Sequence, residues 1–325
     1  MKGLTDIRGI RVGHASDYDA VTGCTVVLCG AGAVGGVDVR GSATGTAELL
    51  TLDPGHVAGE VHAVVLAGGS AFGLEAAAGV RRYLEQRGVG FRTGAAVVPI
   101  VPTAILYDLE IGKANVRPTR EMGEAAAAAA TDGPVEEGAV GAGTGATVGK
   151  ILGMRQAMKA GIGSAVVELP GGVLVAALVA VNAVGDVRDP ATGKLIAGAR
   201  RAPGSMELAD SEAVMKQGGA RDVFPAAHTT LAVVATNARL TKVGATKLAQ
   251  LAGLGMARTI YPVNTMFDGD VVFALSLGER SADINALGVA GAEAVARAVV
   301  RAVRLARTVA GVPGLAGAAP AQPAP

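Results

Sequence analysis

The stretch "FPAAHTTLAVVATNARLT", Phe224 to Thr241, sets two adjacent threonines at the mouth of an apolar run, directly after a histidine. Leu231–Ala235 is apolar and partly β-branched, so the run reads as a strand that the threonines simply open. The same residue types also carry a chemistry. If the chain cuts itself before Thr229, that residue becomes an N-terminal nucleophile. Its own α-amine, with a reference pKa of about 7.7–8.0, then serves as general base near neutrality. The branched Cβ of threonine restricts χ1 and helps to fix the hydroxyl before attack. Thr230 neighbours Thr229 but points to the opposite face of the strand.

Other polar residues stand out by position. Asp268 and Asp270 flank Gly269 in "NTMFDGDVVFALS", and carboxylates at i and i+2 project on the same side of an extended chain. They make either a polar turn or an acidic pair. Lys150 closes the glycine-rich "GAVGAGTGATVGK". Asn182 interrupts the apolar run "GGVLVAALVAVNAVG", where a buried amide is costly unless bonded. It is either a satisfied structural amide or an oxyanion donor.

Several other chemistries lack support. Gly141-x-Gly143-x-x-Ala146 formally fits a dinucleotide fingerprint, but the loop-like "TDGPVEEG" precedes it where a strand is required. A Walker motif fails because Gly145 and Gly149 enclose three residues and Ile151 stands where Ser or Thr should be. "LAGGSAFGL" reads as a strand, a turn and a helix capped by Ser70, either a plain tight turn or an anion-binding helix start. His14, His56, His62 and His228 show no ligand spacing, and there is no Gly-x-Ser-x-Gly elbow. Neither a metal nor a cofactor is expected.

The 325 residues, half of them hydrophobic, suffice for a large core. A net charge of +1 with 3% aromatics gives nothing to track phosphates or stack bases, so nucleic acid is not an expected partner. Cys24 and Cys29 lie on opposite faces of one predicted strand and read as buried free thiols of a reducing cytoplasm. No signal-peptide core is visible, and the longest apolar run is too short to span a bilayer as a helix. A cytoplasmic protein without membrane contact is expected. The pattern predicts strands over 11–12, 24–28, 37–39, 61–67, 96–101, 164–169, 173–180, 231–235 and 271–274. It predicts helices over 44–50, 71–85, 120–130, 205–217, 242–254 and 284–309. Without βα alternation this is an α/β layered sandwich. Residues 1–310 read as one domain, and the Ala/Pro-rich 311–325 as a disordered tail.

"TDIRGIRVGHA", "VDVRGSATGTAELL", "VVLAGGSAFGLEAAAGV", "GAGTGATVGK", "AMKAGIGSA", "VNAVGDV" and "TTLAVVATNARLTK" resemble, in order, blocks of the P1 (S58) peptidases. That family includes L-aminopeptidase D-amidase/D-esterases, β-peptidyl aminopeptidases and nylon-oligomer endohydrolases. The Lys150 loop and the Thr229 block look most similar to the nylon-hydrolase branch. The resemblance implies an N-terminal-nucleophile-hydrolase-like αββα four-layer sandwich. It implies self-cleavage into an α part, 1–228, and a β part, 229–310, that stay together, and hydrolysis of small peptides or ω-amino-acid amides. It places the nucleophile on Thr229, with Lys150 and Asn182 beside it and Asp268 and Asp270 as the acidic pair that orients the amine. It also implies a homotetramer or larger assembly, in line with only 18% charged residues. One residue departs from that branch: His228 stands where an asparagine precedes the nucleophile. A neutral imidazole there could accept the hydroxyl proton.

Overall fold

The computed structural model describes residues 2–219 and 228–317. One long strand ties its two sheets together. After β1 (Ile10–Asp17), β2 runs from Thr22 to Val39. The first half of β2 pairs antiparallel with β1 on one side and with β3 (Val61–Ala67) on the other. β3 continues, in parallel, to β4 (Thr103–Ile105). Beyond a register shift between Leu28 and Ala33, the second half of β2 joins another sheet. There β5 (Ile162–Leu169), β6 (Val173–Asn182), β7 (Thr229–Ala238) and β8 (Val271–Arg280) lie in that order, and β8 pairs with β2. β7 and β8 are parallel; the other neighbours in this sheet are antiparallel.

Strand alternation builds the layers. On β6, Ala176, Leu178 and Ala180 face a core shared with Val64 and Leu66 of the first sheet. Val175, Ala177, Val179 and Val181 face the opposite way, towards α3 (Lys242–Ala252) and α4 (Ile284–Arg304). The first sheet turns Val65 and Ala67 outward onto α1 (Ala76–Glu85) and α2 (Arg120–Ala128). Both sheets are therefore covered on both faces, which explains their near-continuous apolar strands. The result is helix, sheet, sheet, helix: the αββα sandwich expected of an N-terminal-nucleophile hydrolase. Cys24 and Cys29 are buried free thiols in different cores.

Some local expectations fail for identifiable reasons. Residues 44–50 are not helical. Glu48 takes a left-handed φ of 63°, which separates a two-residue strand at Thr46–Ala47 from a 3-10 turn at Leu49–Leu52. The expected strand at 96–101 shrinks to Val97–Val98, paired with Phe91–Arg92. The helix expected over 205–217 is confined to Ser211–Lys216, because Asp210 accepts from Ala213 N and starts it late. Ser70 does not cap its helix by its side chain; instead Asp108 Oδ1 accepts from Gly69 N at 2.7 Å and fills that helix start. Within the expected tail, residues 311–317 are held in place: Pro313 O accepts from Lys159 N, and Ala316 N donates to Ala306 O. Residues 318–325 lie outside the described residues, as do Phe224–Ala227. No helix among the described residues is long and apolar enough to cross a membrane.

An alanine-rich interior packs helices hard against strands. A Cβ on Gly163 of β5 would sit 2.0 Å from the carbonyl oxygen of Ala298 on α4. Gly163→Ala should therefore cost about 1–3 kcal/mol by overpacking. Gly94→Ala, where a Cβ meets nothing within 4 Å, should stay within about 0.5 kcal/mol of the parent. Denaturant unfolding of the two variants checks the contrast.

Candidate active site

Sheet register brings four chain segments to one point. In the β6–β7 ladder Asn182 faces Thr229. One residue before β7, His228 bridges in parallel to Asp268. On the far side, Arg40 N and Gly41 N donate to Asp270 O, and Ala43 N donates to Asp268 O at 2.9 Å. Asp268-Gly269-Asp270 is thus held by backbone bonds from both neighbours, before β8 starts. Lys150 arrives from a separate loop. Gly149 turns with φ 71°, where a Cβ would lie 1.9 Å from Ala199 N, so only glycine fits. Gly149 N and Lys150 N then bond to Gly185 O and Val184 O, just past β6.

The side chains converge accordingly. Thr229 Oγ1 donates to the carbonyl oxygen of His228 at 2.5 Å, and Gly269 N donates to the same oxygen at 2.8 Å. Gly269 leaves room for this arrangement, since a Cβ there would meet Thr229 Oγ1 at 2.8 Å and Ala43 O at 2.6 Å. Lys150 Nζ donates to Asn182 Oδ1 at 2.7 Å and to Asn182 O at 2.9 Å. Asn182 Nδ2 donates to Tyr107 O at 2.9 Å. One of its amide protons is therefore committed, and the other remains for a further acceptor. Asp270 Oδ1 accepts from Thr230 N and Oδ2 from Asn264 N. Asp268 Oδ2 accepts from both Thr265 N at 3.0 Å and Thr265 Oγ1 at 2.6 Å, while Oδ1 is buried without a hydrogen bond. The His228 ring is buried with neither nitrogen bonded, so it makes no contact that would take the Thr229 proton.

Burial sets the electrostatics. Lys150 is brought down to about 7 by desolvation, against the opposing pull of Asp268 first and then Glu110. Asp270 is pushed up to about 8, by burial first and then by the neighbouring charge of Asp268. Asp268 is also raised by burial, partly offset by the two bonds from Thr265, the nearby Val184 backbone N–H and the charge of Lys150. His228 is driven far down by burial, so its ring is neutral. Lys150 and the two aspartates act on one another through their charges, so their ionisations are linked, as acid–base chemistry requires.

All five expected residues, Thr229, Lys150, Asn182, Asp268 and Asp270, thus meet in one buried cluster. Gly269, Thr265 and Tyr107 join it without having been singled out from the sequence. Gly269 had a visible signal, being the one residue between two acids; the Tyr107 backbone carbonyl had none.

Comparisons with known proteins cover the whole chain. The model of peptidase family S58 matches residues 2–316. The chain belongs to this family. It is 41% identical to an uncharacterized aminopeptidase of Mycobacterium leprae, covering 96% of this chain and 92% of that one. It is 34% identical to a 6-aminohexanoate-oligomer endohydrolase of Kocuria sp., covering 92% and 85% respectively. Its fold matches the L-aminopeptidase D-Ala-esterase/amidase of Ochrobactrum anthropi, a variant of the Ntn hydrolase fold, with a TM-score of 0.70 over 94% of this chain and 86% of that one, at 21% identity. An S58 chain with these relatives is an amide hydrolase.

The Thr265 hydroxyl supplies one of the two donors on Asp268 Oδ2. Its removal leaves the carboxylate less stabilised and raises the pH at which Asp268 ionises. In Thr265→Val the acid limb of the pH–rate profile for amide hydrolysis should therefore move to higher pH, with the alkaline limb in place. Initial rates across pH 5–9 decide it; an unmoved acid limb would mean that Asp268 does not act as a carboxylate.

Proposed function

We propose that the protein is a self-processing amide hydrolase in which Thr229 cuts the chain at His228–Thr229 and then serves as the N-terminal nucleophile. One observation carries this reading: the Thr229 hydroxyl lies against the His228 carbonyl, whose oxygen already accepts a backbone N–H from Gly269. Thr229 Oγ1 adds to the His228 carbonyl carbon, and the developing oxyanion is held by Gly269 N–H. The C–N bond breaks, the hydroxyl proton ends on the departing nitrogen, and an ester links His228 to Oγ1. Water opens that ester, leaving a carboxylate on His228 and a free amine and hydroxyl on Thr229.

The mature site reuses the same parts. The amine takes the Oγ1 proton as Oγ1 attacks a substrate amide, then passes it to the leaving amine. The buried, unbonded Oδ1 of Asp268 is the acceptor available to orient the new amine. Gly269 N–H, no longer bonded to His228, is available to the substrate's oxyanion, together with the second amide proton of Asn182. Lys150, with a pKa near 7, holds Asn182 and balances the two carboxylates. The substrates are small peptides or ω-amino-acid amides, as the names of the relatives suggest; a 6-aminohexanoate-oligomer endohydrolase activity is the more specific form of the same reading.

The unbonded His228 ring favours one alternative, a chain that keeps the pocket but is not processed and binds a ligand without turnover. Gel electrophoresis separates the two. The proposal expects the 32.0 kDa chain to give fragments 1–228 and 229–325, with Thr229 as the new N-terminus. Thr229→Ala should abolish cleavage and lower amide hydrolysis by at least about a thousandfold, whereas Thr230→Ala should still cleave. A parent chain that stays whole on prolonged incubation and turns over no amide would establish the alternative.

A further inference from the structure

Beside the cluster, a surface groove of about 250 Å³ is lined by Glu110, Ile111, Met154, Arg155, Arg200 and the 310–312 segment. Three of these residues, Glu110, Ile111 and Met154, also line a throat of about 10 Å³ that ends at Tyr107, Thr147 and Lys150. The throat therefore lies between the groove and Lys150, whose Nζ bonds to Asn182, the ladder partner of Thr229. A volume of that size admits about one water, so a ligand in the groove of the uncut chain stops at the neck. Met154 forms part of that neck with a flexible thioether side chain, which can swing aside without disturbing the backbone.

The charges of this passage are distinctive. Arg200 is buried and committed, its guanidinium donating to the carbonyls of Ala157, Pro203, Ser205 and Arg155. Glu110 is exposed and makes no hydrogen bond or ion pair among the described residues. It stands at the neck, where its negative field reaches inward to both Lys150 and the Tyr107 phenol. Ile111 and Met154 beside it offer apolar wall without hydrogen-bond donors. Arg155, also exposed, lines the outer groove but not the throat, so the uncommitted charge at the constriction itself is the Glu110 carboxylate, with aliphatic surface next to it.

The geometry points to Glu110 as the residue that receives the free ammonium group of an amino-terminated aliphatic amide, holding it at the neck while the amide carbonyl reaches Thr229. This rests on the amide-hydrolase reading above and adds to it a preference for substrates by their charged end. A carboxylate that is already paired could not act this way without first losing its partner. Glu110 has none to lose among the described residues, and the aliphatic wall suits a methylene chain between ammonium and carbonyl. Substrates whose amine is acylated gain nothing from Glu110.

Two measurements test it. The first compares the p-nitroanilides of alanine and 6-aminohexanoic acid, each with its amine free or N-acetylated, on the parent and Glu110→Gln. The expected result is a KM raised about tenfold in the variant for the free-amine 6-aminohexanoyl substrate, whose methylene chain separates ammonium from carbonyl, with the short alanine substrate affected less. The acetylated partners and kcat should stay unchanged, and Glu110→Asp should recover part of the loss. An equal effect on free and acetylated substrates, or none on either, overturns the proposal while leaving the hydrolase reading intact. If no amide is turned over, the hydrolase reading fails instead, and the second measurement decides on Glu110 alone. Calorimetric titration of the uncut Thr229→Ala chain with 6-aminohexanoate and with hexanoate should show tighter binding of the amino compound, and Glu110→Gln should remove that difference. Equal affinities for the two ligands, with or without Glu110, overturn it.

Discussion

A lysine and two aspartates sealed at the end of one sheet constrain everything around them. Charges taken out of water are costly unless each is paired or bonded. Lys150 meets that demand through Asn182, with both the side-chain and the backbone oxygen as acceptors. Asn182 is in turn held by Tyr107 O and by the ladder to Thr229. The aspartates are held by Thr230, Asn264 and Thr265. The charged groups and the threonine are therefore one network, so a change that frees one member leaves another buried and unpaired. The αββα layering supplies the burial, and the parallel pairing of β7 with β8 supplies the alignment.

The same network explains why glycine is confined to particular corners of the site. Gly149 allows the lysine loop to touch the 198–199 segment, and Gly269 allows a backbone N–H to approach the threonine. Neither position has space for a Cβ, and both deliver main-chain groups to where a side chain would be too long. On the proposed mechanism the oxyanion donor would be the Gly269 peptide N–H, fixed by its neighbours on either side. It is pre-aligned and needs little reorganisation as charge develops.

Much of the site was legible in the sequence because it consists of polar residues in apolar surroundings. Asn182 interrupts a run of Val, Leu and Ala, and Asp268-Gly269-Asp270 precedes a strand; each is conspicuous by contrast. The layered fold was legible too, because alternating burial on two-faced strands leaves long apolar runs. What escaped was set by tertiary geometry. Cys24–Leu28 and Val37–Val39 read as two strands, because the turn-like glycines between them hide that β2 is a single element crossing between sheets. Thr265 carries an ordinary turn signature, and only its two bonds to one carboxylate oxygen distinguish it. The 311–317 segment has a disordered composition, but backbone acceptors on it and donors on its neighbours hold it in place.

The order of strands in the second sheet bears on what a broken chain would do. β7 and β8 belong to the segment after residue 228, yet they lie between β6 and the second half of β2, both from the segment before it. Pro313, also from the later segment, bonds back to Lys159 in the earlier one. Opening the chain at His228–Thr229 would remove one covalent bond and the bridge that His228 itself makes to Asp268, but no rung from Thr229 onward. The two pieces would be interleaved like the teeth of a zip, parting only when the sheet itself is pulled open. They would melt as one body, and pieces from different molecules would not trade places at equilibrium without global unfolding. A molecule built this way can trade chain continuity for a new amino terminus and still behave, mechanically, as a single polypeptide.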